Sequence, residues 1–152
     1  MPDTKAFVFV DEVEEARRGA CYCLAVRQAS RRLMRSYDEK LGEHGLTIGQ
    51  FAMLCYISGP EEYTVQALAD FLDMNQSALS RGLAPLEKQG FLTSKSDPDD
   101  GRKRILELTP QGAERLNEAS KSWKSAQQEL SAKNEELDIG SLMQTIAKLG
   151  TS

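Results

Sequence analysis

Hydrophobic positions recur at helical spacing along most of the chain. From about Asp11 to Glu43 there is no proline, and Cys23, Val26, Ser30, Leu33, Tyr37 and Leu41 share one face with the arginines largely off it. This pattern predicts one long helix, ended by Gly42 and Gly45. Thr47-Ile48-Gly49-Gln50 has the Thr and Gln of a capping box and opens a second helix through Phe51, Leu54 and Cys55, stopped by Ser58-Gly59-Pro60. Thr64 caps a short third helix with Leu68, Phe71 and Leu72 inside. After the turn Asp73-Met74-Asn75, Asn75 caps a fourth helix to about Gln89, whose buried stripe is Leu79, Leu83 and Leu86. Pro85 predicts a kink or a loosened last turn, since proline removes a helical hydrogen bond at a cost of ~3 kcal/mol.

Gly90 ends that helix, and the period then changes. Phe91 to Ser96 reads as a strand, Asp97-Pro98-Asp99-Asp100-Gly101 as a turn, and Arg102 to Leu108 as the returning strand. Thr109-Pro110 restarts helix, and Ala113, Leu116, Ser120, Trp123, Gln127 and Leu130 continue it. A last helix from about Asp138 carries Ile139, Leu142, Met143, Ile146 and Leu149 on one side. The order describes a mainly α fold with a small β-hairpin wing: a winged helix-turn-helix plus N- and C-terminal helices. The expected parts are 1–45, a long N-terminal helix; 46–109, the winged lobe; and 110–152, the C-terminal helices. Apolar stripes in 1–20 and 113–149 have no partner inside a wing-sized core, so they are expected to pack on a second copy, with an intramolecular hairpin as the alternative.

The 152 residues are 40% hydrophobic and 28% charged, which suits a globular chain and excludes a disordered one. No apolar run approaches the ~20 residues that span a bilayer, so no membrane association is expected. Met1 to Asp11 shows no signal peptide, and three cysteines make an odd number, so the cytoplasm is the expected compartment. The net charge of −4 argues against a polyanion partner, but its distribution reverses that inference. From Leu41 to Asp73 there are five acids and no Lys or Arg; from Met74 to Arg104 there are six bases against four acids. A second basic run, Arg27, Arg31, Arg32 and Arg35, lies upstream. Local positive potential on an acidic chain is compatible with binding nucleic acid.

No Gly-rich phosphate loop, nucleophile elbow or His/carboxylate pair at ligand spacing is present, so neither an enzyme nor a metal or cofactor is expected. Lone His44 reads as a loop residue. The exposed face of the fourth helix holds Gln76, Ser77, Ser80, Arg81 and Lys88, short or hydrogen-bonding side chains with two bases. Such a face fits the major groove of double-stranded DNA, where Gln76, Ser77, Ser80 and Arg81 would meet bases or phosphates. Lys88 and Lys95 would contact phosphates, Arg102 would enter the minor groove, and Arg104 belongs to the same basic cluster.

The stretch Leu46-Thr47-Ile48-Gly49-Gln50-Phe51, then Thr64-Val65-Gln66-Ala67-Leu68-Ala69, Leu79-Ser80-Arg81, Leu86-Glu87-Lys88-Gln89-Gly90-Phe91-Leu92, and Asp100-Gly101-Arg102 leading into Leu108-Thr109-Pro110-Gln111-Gly112 resembles the MarR (multiple antibiotic resistance regulator) family. The resemblance runs from about Cys21 to the C-terminal helices. It implies a homodimer, held by dimerisation helices in 1–45 and 110–152 with an effector cleft beside the first, that binds pseudo-palindromic operators through the DNA-binding lobe 46–109 as a transcriptional regulator, expected to be a repressor. It also implies that Asp100 braces Arg102. Gly101 stands where many relatives have a second Arg.

The resemblance further implies a small, often aromatic, effector, for which Arg27, Arg31, Tyr37 and Trp123 are candidates; each also reads as an ordinary surface, core or interface residue. One branch of the family senses peroxide through a cysteine seven residues before a Ser-Arg pair. Cys23 stands seven before Ser30-Arg31, but Ile48 and Phe51 occupy places where that branch has tyrosines. Cys21 and Cys23 point about 200° apart on the expected helix, so they are expected to form neither a metal nor a disulfide pair, and small core residues are the plainer reading of Cys23 and Cys55. Two alternatives therefore stand beside the DNA-binding regulator: a thiol-based sensor of the same fold, and a winged helix used only for protein contacts.

Overall fold

The structure, a computed structural model, describes Val8 and residues 10–150. The expected lack of a signal peptide in residues 1–11 falls mostly outside that range. The chain divides into two compact units, Met1–Ser36 and Tyr37–Ser152.

The first unit contains α1 (Asp11–Glu15), a π-type turn over Ala16–Ala20, and most of α2 (Tyr22–Leu41). The single helix expected from Asp11 is interrupted. Gly19 adopts φ +93°, a left-handed conformation open to glycine, and Cys21 is extended at φ −81°, ψ 109°. Cys21 therefore stands outside the helix, and the 200° separation from Cys23 does not apply. Cys23 is itself exposed, not a core residue. Tyr22, Leu24, Val26, Leu33 and Met34 are also solvent-exposed.

The second unit takes the end of α2, a 3₁₀ turn (Gly42–His44), α3 (Ile48–Ile57), α4 (Val65–Phe71), α5 (Gln76–Lys88), β1 (Leu92–Ser96), β2 (Arg104–Leu108), α6 (Pro110–Lys133) and α7 (Ile139–Lys148). Lone His44 thus belongs to a helical turn, and its ring meets Ser122 Oγ at 2.9 Å. Leu41, Leu46, Leu54, Leu68, Leu79 and Leu86 are fully buried in one core. Leu86→Ala should cost ~2–5 kcal/mol, the transfer loss plus a cavity. Urea unfolding checks this; a loss within 0.5 kcal/mol, about what a surface site gives, would contradict the core assignment.

Short-range side-chain caps set the helix starts. Thr47 Oγ1 accepts from Gln50 N–H at 3.2 Å while Gln50 Oε1 accepts from Thr47 N–H at 3.0 Å, closing the capping box. Thr64, Asn75, Thr109 and Asp138 each accept from the amide three residues on. α5 runs through Pro85 without a break and ends where Gly90, at φ +76°, lets Phe91 N–H reach Leu86 C=O at 3.0 Å.

The hairpin is antiparallel, pairing Leu92 with Leu108 and Ser96 with Arg104. β2 begins at Arg104, later than the expected Arg102, because Asp97 N–H bonds Lys103 C=O and Lys103 N–H bonds Asp100 C=O across the turn. α6 buries Gly112, Ala119 and Ala126, one heptad apart, while the Leu116, Trp123 and Leu130 line stays partly exposed. At Gly112 only a small residue fits, because the helix there lies against the Phe91 backbone. Phe71, expected inside, is 55% exposed: its place at the end of α4 points it off the Leu68–Ala69 face.

Candidate nucleic-acid interface

The buried stripe of α5 turns its opposite face outward, so Gln76, Ser77, Ser80, Arg81 and Lys88 are all exposed. Ser77 Oγ donates to Asn75 Oδ1 at 2.9 Å, and that same oxygen accepts from Ala78 N–H at 2.7 Å, so the start of α5 is held rigidly. The helix also sits close to α3: a Cβ on Gly82 would stand 2.6 Å from Met53 Cε. The turn before it places Asp73 at φ +54°, a conformation Asp tolerates better than most residues.

In the wing, Asp97 Oδ1 accepts from Asp99 N–H at 2.8 Å and Asp100 Oδ1 from Arg102 N–H at 3.2 Å. Asp100 thus reaches the backbone of Arg102, and among the described residues no ion pair joins their side chains. The Arg102 guanidinium is left extended into solvent. Lys103, exposed beside it, is absent from the sequence-derived set; its signal is the unbroken run Arg102-Lys103-Arg104. Arg104 is turned back onto β1, donating through Nη2 to Ser94 C=O at 2.7 Å and through Nε to Ser94 Oγ at 3.2 Å. Lys95 Nζ lies 2.5 Å from Glu107 and 3.2 Å from Glu62. Hydrogen bonds to Glu107 and then Glu62 raise its pKa, and its charge is largely matched locally.

The remaining candidates are distributed over both units. Arg27 and Arg31 are exposed on α2 in the first. In the second, the Tyr37 hydroxyl donates to Gln127 Oε1, and burial raises its pKa. Trp123 stacks on Phe51 with ring centroids 6.1 Å apart. Lys40 pairs with Glu129 at 2.7 Å, a contact that raises the lysine pKa and lowers that of the glutamate. Burial raises the Cys55 thiol pKa. Among the described residues no cluster of three or more His, Cys, Asp or Glu is placed to hold a metal, and no helix is long and apolar enough to cross a membrane.

The pattern that defines the MarR family matches residues 46–103, the stretch from the end of the 3₁₀ turn to the wing. The crystal structure of the M. tuberculosis transcriptional regulator MosR is similar at 31% identity and a TM-score of 0.74, covering 87% of this chain and 94% of that one. The same regulator in complex with DNA is similar at 29% identity and a TM-score of 0.68, covering 86% and 99%. Among curated proteins, the HTH-type transcriptional regulator YdcH of Bacillus subtilis (strain 168) is 33% identical over 60% of this chain and 65% of its own length. The organic hydroperoxide resistance transcriptional regulator of the same organism is 28% identical over 60% and 62%. The chain thus spans just under two thirds of the length of these curated relatives.

Proposed function

The chain belongs to the MarR family of winged-helix, DNA-binding transcriptional regulators, and from that premise we propose that it is a homodimeric repressor of a pseudo-palindromic operator. What carries the reading is α5, whose exposed polar face holds Arg81 and Lys88 and adjoins a wing with Arg102 and Lys103 solvent-exposed. In the proposed docking α5 enters the major groove, Gln76, Ser77, Ser80 and Arg81 meet base edges or phosphates, Lys88 meets phosphate, and Arg102 enters the minor groove. Lys95 and Arg104 act indirectly, holding the hairpin rather than lending charge. A small, often aromatic, ligand would release the operator. The three-part division into 1–45, 46–109 and 110–152 belongs to the same proposal. A gel shift with the promoter DNA flanking its own gene tests it: affinity should fall steeply from low to physiological salt, and no retention at low salt would refute it.

The homodimer is supported by the apolar side chains left in water, Leu24, Val26, Leu33 and Met34 on α2, Leu142, Met143 and Ile146 on α7, and Leu149 just after it. Two half-sites about one helical turn (~34 Å) apart also call for two copies. Deleting residues 138–152 should give monomer or aggregate. A truncation that sediments as a dimer at micromolar concentration would move the interface elsewhere.

A second reading rests on Cys23, exposed in the first turn of α2 where an oxidant can reach it. It requires that peroxide release DNA from the parent protein and leave Cys23→Ser bound. If both respond alike, Cys23 is no switch.

A further inference from the structure

One surface of the second unit has chemistry opposite to the nucleic-acid face. Phe71, the last residue of α4, is 55% exposed, and Tyr56, near the end of α3, is 40% exposed. Their rings meet edge to face at 4.9 Å, and Tyr63 packs on the other side of Phe71 at 5.7 Å. Three aromatic rings held together at the surface, rimmed by polar groups, mark a contact surface more than a stray apolar residue.

The rim carries three carboxylates, Asp70, Glu61 and Glu62. Asp70 precedes Phe71, and Gln66 Nε2 donates to its Oδ1 at 2.7 Å, fixing that carboxylate. Glu61 folds back over Gly59, at the end of the turn that follows Tyr56: a Cβ on Gly59 would stand 3.4 Å from Glu61 Oε2 and 3.2 Å from the Tyr56 carbonyl oxygen. Glu61 and Glu62 continue into a groove of about 440 Å³ whose far wall is Ile105–Leu108 of β2. The protein's own Lys95 ammonium sits between Glu62 and Glu107, two of the groove's carboxylates, and so displays the kind of group this surface takes.

We propose that this face docks a basic, arginine-bearing segment of a partner protein. A guanidinium stacks on exposed aromatic faces and forks onto carboxylates, so an arginine-bearing segment can use both halves of the surface. Nucleic acid or an anionic lipid would bring phosphates against Glu61 and Asp70. A purely apolar partner would bury those carboxylates unpaired.

The probe is a short fluorescein-labelled peptide of arginine and leucine, with a glutamate-for-arginine version beside it, titrated into the full chain. Saturable binding of the arginine peptide alone is expected. Phe71→Ala and the double variant Glu61→Gln with Asp70→Asn should each weaken it about tenfold or more. Glu135→Gln with Glu136→Gln makes the same charge change away from the site and should leave peptide affinity as it was. Gel shifts of all the variants should match the parent, which separates this proposal from the DNA-binding reading. Absence of peptide binding, or equal weakening by the control pair, overturns it. So does self-association of the dimer that Phe71→Ala abolishes and the peptide blocks, for then the occupant is a second copy presenting its Arg27–Arg35 run.

Discussion

Gly112→Ala should lower the melting temperature by roughly 6–12 °C, taking an overpacking cost of ~3 kcal/mol, the upper end for an overlap with backbone, at ~2–4 °C per kcal/mol for a chain of this size. A Cβ at this position would lie 1.9 Å from the carbonyl oxygen of Phe91 and 2.7 Å from its carbonyl carbon. Both obstacles are backbone, so no rotamer change relieves the overlap. The backbone cannot retreat easily either. Phe91 C=O accepts Thr109 N–H at 3.1 Å, Thr109 Oγ1 donates to Gly90 C=O at 2.6 Å, and the Arg115 guanidinium lies 5.4 Å from the Phe91 ring centre. The first turn of α6 is thereby locked onto the start of the hairpin, and pushing it away would loosen the wing with it. Gly101→Ala is the matched control: a Cβ there meets nothing within 4 Å, so its melting temperature should move by no more than a degree or two. If the two alanine variants melt together, α6 does not approach the Phe91 backbone as described.

The second large effect concerns the wing. On the proposed docking, Arg102→Ala should weaken binding to many sequences alike and reduce the salt slope by about one unit, since minor-groove insertion senses width more than base identity. Arg81→Ala should instead relax preference at one position of each half-site, by ~1–3 kcal/mol of discrimination. Asp100 gives a test whose sign separates charge from geometry. Removing an anion beside DNA should tighten binding on electrostatic grounds alone. The Asp100 carboxylate, however, accepts the Arg102 amide at 3.2 Å, and its carbonyl accepts from Lys103 at 2.8 Å, so the side chain shapes the turn that presents Arg102. Asp100→Ala should therefore bind DNA more weakly than the parent. Asp100→Asn, which keeps an acceptor oxygen and loses the charge, should bind as well as the parent or better. Tighter binding by the alanine variant would show that the turn needs no brace. Equal losses in both variants would place the role of Asp100 in its charge.

Every helix start in the second unit that sequence reading placed, at Thr47, Thr64, Asn75, Thr109 and Asp138, is where the structure caps a helix. Caps act between a side chain and an amide three residues away, so the sequence alone contains all the atoms involved. The Leu79, Leu83 and Leu86 stripe was legible for a related reason: one helix face buried implies the other exposed, and that set the outward positions of Gln76 and Arg81. The break at Gly19 was signalled by the glycine itself, but the apolar periodicity on either side of it masked the interruption.

What tertiary structure alone decided lies between residues far apart in the chain. The approach of α6 to the Phe91 backbone leaves room only for glycine at 112, and Ala119 and Ala126 continue the buried line although larger apolar side chains lie beside them on the same helix. Lys95, an ordinary cation in sequence, is matched by Glu62 and Glu107 once β1, β2 and the turn before α4 come together. Phe71 keeps a helical apolar spacing yet faces water with Tyr56 and Tyr63 around it. Periodicity identifies which side of an element is apolar. Which apolar side chains find cover, and which charges are already paired, depends on distances set only when the elements pack.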